Sequence, residues 1–184
     1  DVCSSDLLDS TVTPLERSSL QKRLSRFGLA DAKIKSRGTE VIDYTLDLTK
    51  DRELAVLFNK KTPATLDVRM QVFQERALHV FREFYSGGST LPDHLIHVTC
   101  TGYVAPSSAQ IAVIESPRNT HTQVTHAYHM GCYASLPALR IGQGFLHAGE
   151  KLRADIVHTE ICSLHFNPAT LDPEQIVVQS LFAD

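Results

Sequence analysis

Residues 13–28, TPLERSSLQKRLSRFG, place Leu15, Leu20, Leu24 and Phe27 near helical spacing. Thr13 stands where an N-cap belongs, Pro14 at the first helical position and Gly28 where a helix stops, so the pattern predicts a helix here. The next segment, AKIKSRGTEVIDYTL (32–46), is mixed and irregular, and DRELAVLFNKK (51–61) has the spacing of a second short helix. TPATLDVRMQVFQERALHVFREFYSGG (62–88) is clearer. Leu66, Met70, Phe73, Ala77, Val80, Phe81 and Phe84 form one apolar stripe closed by Gly87-Gly88, which predicts a core-facing helix.

Beyond it the period alternates. LIHVTC (95–100) reads as a strand, SSAQIAVIES (107–116) as a helix, and QVTHAY (123–128) as a strand. YASLPALRIGQGFLHAG (133–149) then reads as a helix, with Pro137 near its start where a missing N–H is tolerated, and ADIVHTEI (154–161) as a strand. Strand-helix-strand-helix-strand with short connections argues an α/β sheet with right-handed crossovers. No internal repeat, low-complexity tract or long linker divides the chain.

Composition adds exclusions. The apolar and charged fractions, 42% and 21% of 184 residues, are those of an ordinary globular domain. A net charge of -3 with dispersed Lys and Arg argues against nucleic acid and against a membrane surface. No apolar run approaches the roughly 18 residues of a membrane span, and the N-terminus lacks the pattern of a signal peptide. A cytoplasmic protein is the expectation. Cys3, Cys100, Cys132 and Cys162 are widely spaced without a CxxC pair, which favours reduced thiols over disulfides. Residues 1–7, DVCSSDL, resemble one reading frame of a sequencing adapter and are set aside, Cys3 included. At the other end DPEQIVVQSLFAD stops directly after an apolar helical stretch, so residues 8–184 read as a piece truncated at both ends.

Gly131-Cys132 falls at the junction of a predicted strand and a predicted helix. In layered α/β proteins ligands collect at strand C-terminal ends, and a helix amino terminus offers N–H groups and partial positive charge that favour a thiolate. Gly131 lets the backbone turn sharply and leaves room for a carbonyl to approach. The same dipeptide also suits a small buried residue. His126 and His129 lie nearby, but alternation along a strand sends them to different faces, and each reads as a structural or surface histidine. A zinc site built from His126, His129, Cys132 and Cys162 is the non-catalytic alternative; its H-x2-H-x2-C spacing lacks the paired ligands of structural zinc, and no metal is expected.

HMGCYASLPALRIGQGFL (129–146) resembles the nucleophile segment of the thiolase-superfamily condensing enzymes, most closely the chalcone-synthase-like type III polyketide synthases and their bacterial α-pyrone-forming relatives. Further stretches resemble the family in the same order. LIHVTCTGYVAPSSAQ is similar to the strand and loop that line the active site, ADIVHTEICSLHFNPATLD to the strand and loop after the nucleophile, QSLFAD to the end of the helix entering the next glycine-rich strand, and LQKRLSRFGLADAKIKSRGTEV to the helix and basic segment near the coenzyme A entrance.

The resemblance implies an α/β thiolase-like fold: the first half of a five-layer α-β-α-β-α sandwich, a mixed sheet with flanking helices. It implies an acyltransferase in which Cys132 takes an acyl group as a thioester and a malonyl-type extender, on losing carbon dioxide, attacks that thioester. It assigns Phe166 to the passage between cofactor tunnel and reaction cavity, Cys100, Thr101 and Gly102 to the cavity wall, and Pro106 to a loop reaching toward a partner subunit. Lys33, Lys35 and Arg37 are set to meet the phosphates of coenzyme A. Acyl-CoA and malonyl-CoA, or an acyl carrier protein, are the implied substrates, with no permanently bound cofactor and a homodimer as the full-length state. The family's catalytic His and Asn come from the second half, so this polypeptide alone is expected to be inactive. Ser135-Leu136-Pro137, Tyr103 and Ala105 depart from the family's choices, which leaves starter and product open. A ketoacyl synthase III of fatty-acid initiation shares the cysteine and remains the enzymatic alternative.

Overall fold

The computed structural model of the protein describes residues 13–30, 33–47, 50–58, 64–86, 89–117, 121–149, 153–167 and 172–182. Residues 1–7 and the Gly87-Gly88 stop lie outside the described residues. The chain divides into two units, Asp1–Arg69 with Ile161–Asp184, and Met70–Glu160.

In the first unit, helix α1 (Pro14–Phe27) starts and stops where the sequence predicts. The Thr13 N–H donates to Glu16 Oε2 at 2.8 Å and the Glu16 N–H to Thr13 Oγ1 at 3.3 Å, a reciprocal capping box that satisfies otherwise orphaned donors. At the other end the Gly28 N–H donates to Leu24 O at 2.8 Å. A Cβ on Gly28 would lie 2.6 Å from that carbonyl oxygen, so the stop tolerates no side chain as it stands.

The expected helix over 51–61 is a correction: only the single turn Arg52–Leu54 forms among its described residues. The cause is a long-range competitor. Asp43, 1% exposed, sits in the turn Ile42–Thr45 and accepts from the backbone N–H groups of Val56 (3.0 Å), Leu57 (2.6 Å) and Phe58 (2.9 Å). A helix there would need those same donors for its own ladder. A charge-assisted clamp from a buried carboxylate outcompetes that local alternative.

The second unit holds the sheet. β1 (His94–Thr99), β2 (Gln123–Tyr128) and β3 (Ala154–His158) pair in the order β2-β1-β3, all parallel, with His97 opposite His126 and Val157. The chain steps from β1 to β2 and then back past β1 to β3. With right-handed crossovers that reversal sends the two connecting helices, α3 (Ser108–Glu115) and α4 (Ser135–His147), to opposite faces. One face is covered by α2 (Leu66–Phe84) and α3, where Phe81, Ala109, Ala112 and Val113 pack on Leu95 and Val157. On the other, Ala134 and Ala138 pack on Ile96, Val98 and Ala127. α3 is capped by Ser107 and Gln110 in a second capping box.

The α2 stripe holds in its middle, where Met70, Phe73, Ala77 and Phe81 are buried. Its ends do not: Leu66 and Phe84 are exposed. β3 stops at His158, short of the predicted 161, although the Thr159 N–H still donates to Val98 O at 3.0 Å. In the first unit, helix α5 (Pro173–Phe182) follows the turn Cys162–His165.

Candidate active site

All three strands are parallel, so Thr99, Tyr128 and His158 end on one edge of the sheet, and the segments that follow them gather there. β1 is the strand at which the winding reverses, the place where open parallel sheets bind ligands.

Cys132 belongs to this edge. The chain leaves β2 through His129 (φ 61°), Met130 and Gly131 (φ 70°), so two left-handed residues turn it sharply. For Gly131 the reason is conformational alone, since a Cβ there would meet nothing within 4 Å. The turn Gly131–Ala134 contacts both β1 and β2 and runs directly into α4. Cys132 therefore sits inside the first turn of this helical segment, slightly later than the strand-to-helix junction the sequence suggests. Ala134, 1% exposed, anchors the turn to the sheet, while Cys132 is an exposed free thiol. A small buried residue it is not.

The loop after β1 carries Cys100, Thr101 and Gly102. Glu160 holds it: its carboxylate accepts from Cys100 N–H at 2.9 and 3.1 Å, Thr101 Oγ1 at 2.7 Å and Thr99 Oγ1 at 3.4 Å. Gly102 is buried, and a Cβ built on it would fall 2.1 Å from two carbons of the Phe73 ring. Tyr103 N–H donates to Met70 Sδ at 3.2 Å and its phenol to Cys100 O at 2.6 Å. Its ring lies flat on the His129 imidazole, centroids 4.2 Å apart and planes 2° from parallel. Burial, with the neighbouring Cys100 and Glu160, raises the Tyr103 phenol above its ordinary pKa, so it stays a donor. Pro106 O accepts from Gln74 Nε2 at 2.9 Å.

Beneath this edge a buried polar link joins the three strands. His97, with no exposed surface, places Nε2 2.7 Å from Thr159 Oγ1 and Nδ1 2.8 Å from the Tyr128 hydroxyl. Burial, helped by His126 and His158, pushes its pKa down to about 3, so the ring is neutral and serves one partner as donor and the other as acceptor. His126 is likewise lowered by burial. Sequence reasoning missed His97, Thr159 and Glu160; the signal was polar residues inside or just beyond apolar strand runs.

His126 lies on β2 and His129 is the left-handed residue just after it, so strand alternation does not govern where the His129 side chain goes. Its ring is engaged by Tyr103, and the ring of His126 lies 4.9 Å from that of Tyr128. Among the described residues no group of three or more His, Cys, Asp or Glu side chains is placed to hold a metal ion. No helix among them is long and apolar enough to cross a membrane.

The remaining expected site residues lie in the first unit. Phe166 packs edge-on against Tyr44 and Phe58, with centroids 6.1 and 6.4 Å away. Lys33, Lys35 and Arg37 are exposed, and Arg37 donates to Ser180 O in α5. Cys162 opens the turn before Phe166.

No protein-family model matches the chain. Individual proteins do. The 1,3,6,8-tetrahydroxynaphthalene synthase of Streptomyces coelicolor is 30% identical over 92 residues, 50% of this chain and 25% of that protein. Its solved structure, described as a bacterial type III polyketide synthase, matches with a TM-score of 0.55 at 20% identity, covering 91% of this chain and 49% of that one. A 3,5-dihydroxyphenylacetyl-CoA synthase of Streptomyces toyocaensis is 29% identical over 175 residues, 90% of this chain and 44% of that relative. The C-terminal type III polyketide synthase domain of Steely1 from Dictyostelium superposes with a TM-score of 0.60 at 22% identity, covering 96% of this chain and 46% of that domain. The chain thus spans less than half the length of the curated relatives it matches. Over these residues it is similar in sequence to type III polyketide synthases, and its α/β fold is part of theirs.

Proposed function

We propose that the protein to which this chain belongs is a cysteine-dependent condensing enzyme of polyketide synthesis, with Cys132 as the acyl acceptor. The observation that carries this reading is an exposed thiol in the first turn of a helix at the strand edge where the sheet reverses, in a chain similar in sequence to type III polyketide synthases.

The Cys132 thiolate attacks the carbonyl of an acyl thioester; the carbon-sulfur bond to the carrier breaks and the carrier leaves as its thiolate, which takes a proton from water. A malonyl thioester then loses carbon dioxide, and the carbanion so formed attacks the Cys132 acyl group, making a carbon-carbon bond and returning the thiolate. That chemistry needs donors to stabilise the enolate and oxyanion. In our reading a His and an Asn outside residues 8–184 provide them, and the 184-residue chain alone turns over no substrate. Exposed Tyr133 in the turn before α4, and Leu136, Leu139 and Leu146 on α4, support further packing of chain there.

Cys100, Thr101 and Gly102 line the cavity, Phe166 guards its passage, and Lys33, Lys35 and Arg37 meet the phosphates of coenzyme A. Acyl-CoA and malonyl-CoA are the substrates, as the name of the coenzyme A thioester-forming relative suggests, with no resident cofactor. The whole enzyme acts as a cytoplasmic homodimer. The test is product analysis of the complete reading frame with acyl-CoA and malonyl-CoA. Products carrying several malonyl-derived units, lost in Cys132→Ala, are expected. A single condensation product would assign the enzyme to fatty-acid initiation instead.

A further inference from the structure

Between β2 and Cys132 the backbone passes through His129 at φ 61°, a left-handed conformation uncommon outside Gly, although His, like Asn and Asp, enters it more readily than other residues. The ring of His129 meets a contact from another strand's loop. The Tyr103 ring covers the imidazole face to face, and Tyr103 is tied down at its N–H by Met70 of α2 and at its hydroxyl by Cys100 O. A continuous line of contact therefore runs from α2 through the loop after β1 to the residue three positions before Cys132. Met130 and Gly131 complete the turn, and Ala134 pins its far side to the sheet.

We infer that Tyr103 is a positioning residue: its stack on His129 fixes the left-handed turn through Gly131 and so sets where the Cys132 thiol is presented at the amino end of α4. The inference rests on Cys132 as the acyl acceptor and adds the device that aims it.

The test is residue-resolved alkylation of the full chain by iodoacetamide, with Cys162 in the other unit as internal reference. Tyr103→Ala removes ring and hydroxyl, Tyr103→Phe keeps the ring, and His129→Asn keeps a residue at ease in the left-handed region but removes the stacked imidazole. In Tyr103→Ala and His129→Asn the Cys132 rate, relative to Cys162, falls by about threefold or more, the change an aromatic pair of ordinary strength corresponds to. Tyr103→Phe restores it to within about twofold of the parent. An unchanged or raised ratio in both stack-breaking variants overturns the inference, and so does a parallel change at both thiols, which would mean general loosening. Failure of the acyl-acceptor reading is separate: the complete enzyme would then show no acyl adduct on Cys132 while these ratios still moved.

Discussion

Gly102→Ala separates two reasons for a glycine in the loop after β1. The built Cβ lies 2.1 Å from Cδ1 and Cε1 of Phe73 and 2.3 Å from Cζ. Carbon atoms rest about 3.5–4.0 Å apart, so the ring or the loop must retreat by more than about 1 Å. Phe73 has no exposed surface, which leaves the ring no free direction. Overpacking of this kind costs about 1–3 kcal/mol. In a chain of this length each kcal/mol lowers the melting temperature by about 2–4 °C, giving an expected fall of about 2–12 °C in a thermal melt. In a Phe73→Leu background the penalty shrinks, because the shorter side chain gives way, and the two costs become non-additive by about 0.5 kcal/mol or more. A Gly102→Ala protein melting within about 1 °C of the parent would refute the packing argument. It would leave cavity shape as the reason for the glycine.

Two further outcomes follow from buried polar groups. Asp43→Ala strands the N–H groups of Val56, Leu57 and Phe58 and lowers the urea unfolding free energy by about 3 kcal/mol or more, at about 1–3 kcal/mol per donor left unsatisfied. Asp43→Asn, which keeps one oxygen for Leu57 and Phe58, costs less; equal losses would contradict the clamp. His97 has a folded pKa of about 3 against an ordinary 6.5, so below pH 6.5 the unfolded chain takes a proton that the folded chain refuses. Stability is full above pH 6.5 and is lost as pH falls toward 3, by about 2 kcal/mol between pH 6.5 and 5. His97→Gln removes that part of the slope, and an identical pH dependence in urea titrations of both proteins would refute the assignment.

What the sequence displayed well was local. Thr13-Pro14 with Gly28, Ser107 with Gln110, and the middle of the α2 stripe are each decided within one or two helical turns, and the structure agrees with them. Errors fell where a distant partner decides. Asp43 takes the donors of residues 56–58 across 13 to 15 positions of sequence and cancels a helix. Glu160 bonds the Cys100 N–H 60 residues away, and Tyr103 stacks on His129 from the loop after another strand. The candidate nucleophile was legible through the resemblance over residues 129–146, since Gly131-Cys132 alone also suits a small buried residue, whereas Tyr103 and Glu160 gave no local signal because their partners follow other strands.

The most direct measurement is intact-protein and peptide mass analysis of the complete reading frame after exposure to an acyl-CoA, in the parent, Cys132→Ala and Cys132→Ser. One acyl adduct, mapped to Cys132 and absent from both variants, is the predicted result; an adduct on another residue, or one that persists in the variants, would contradict Cys132 as the acyl acceptor.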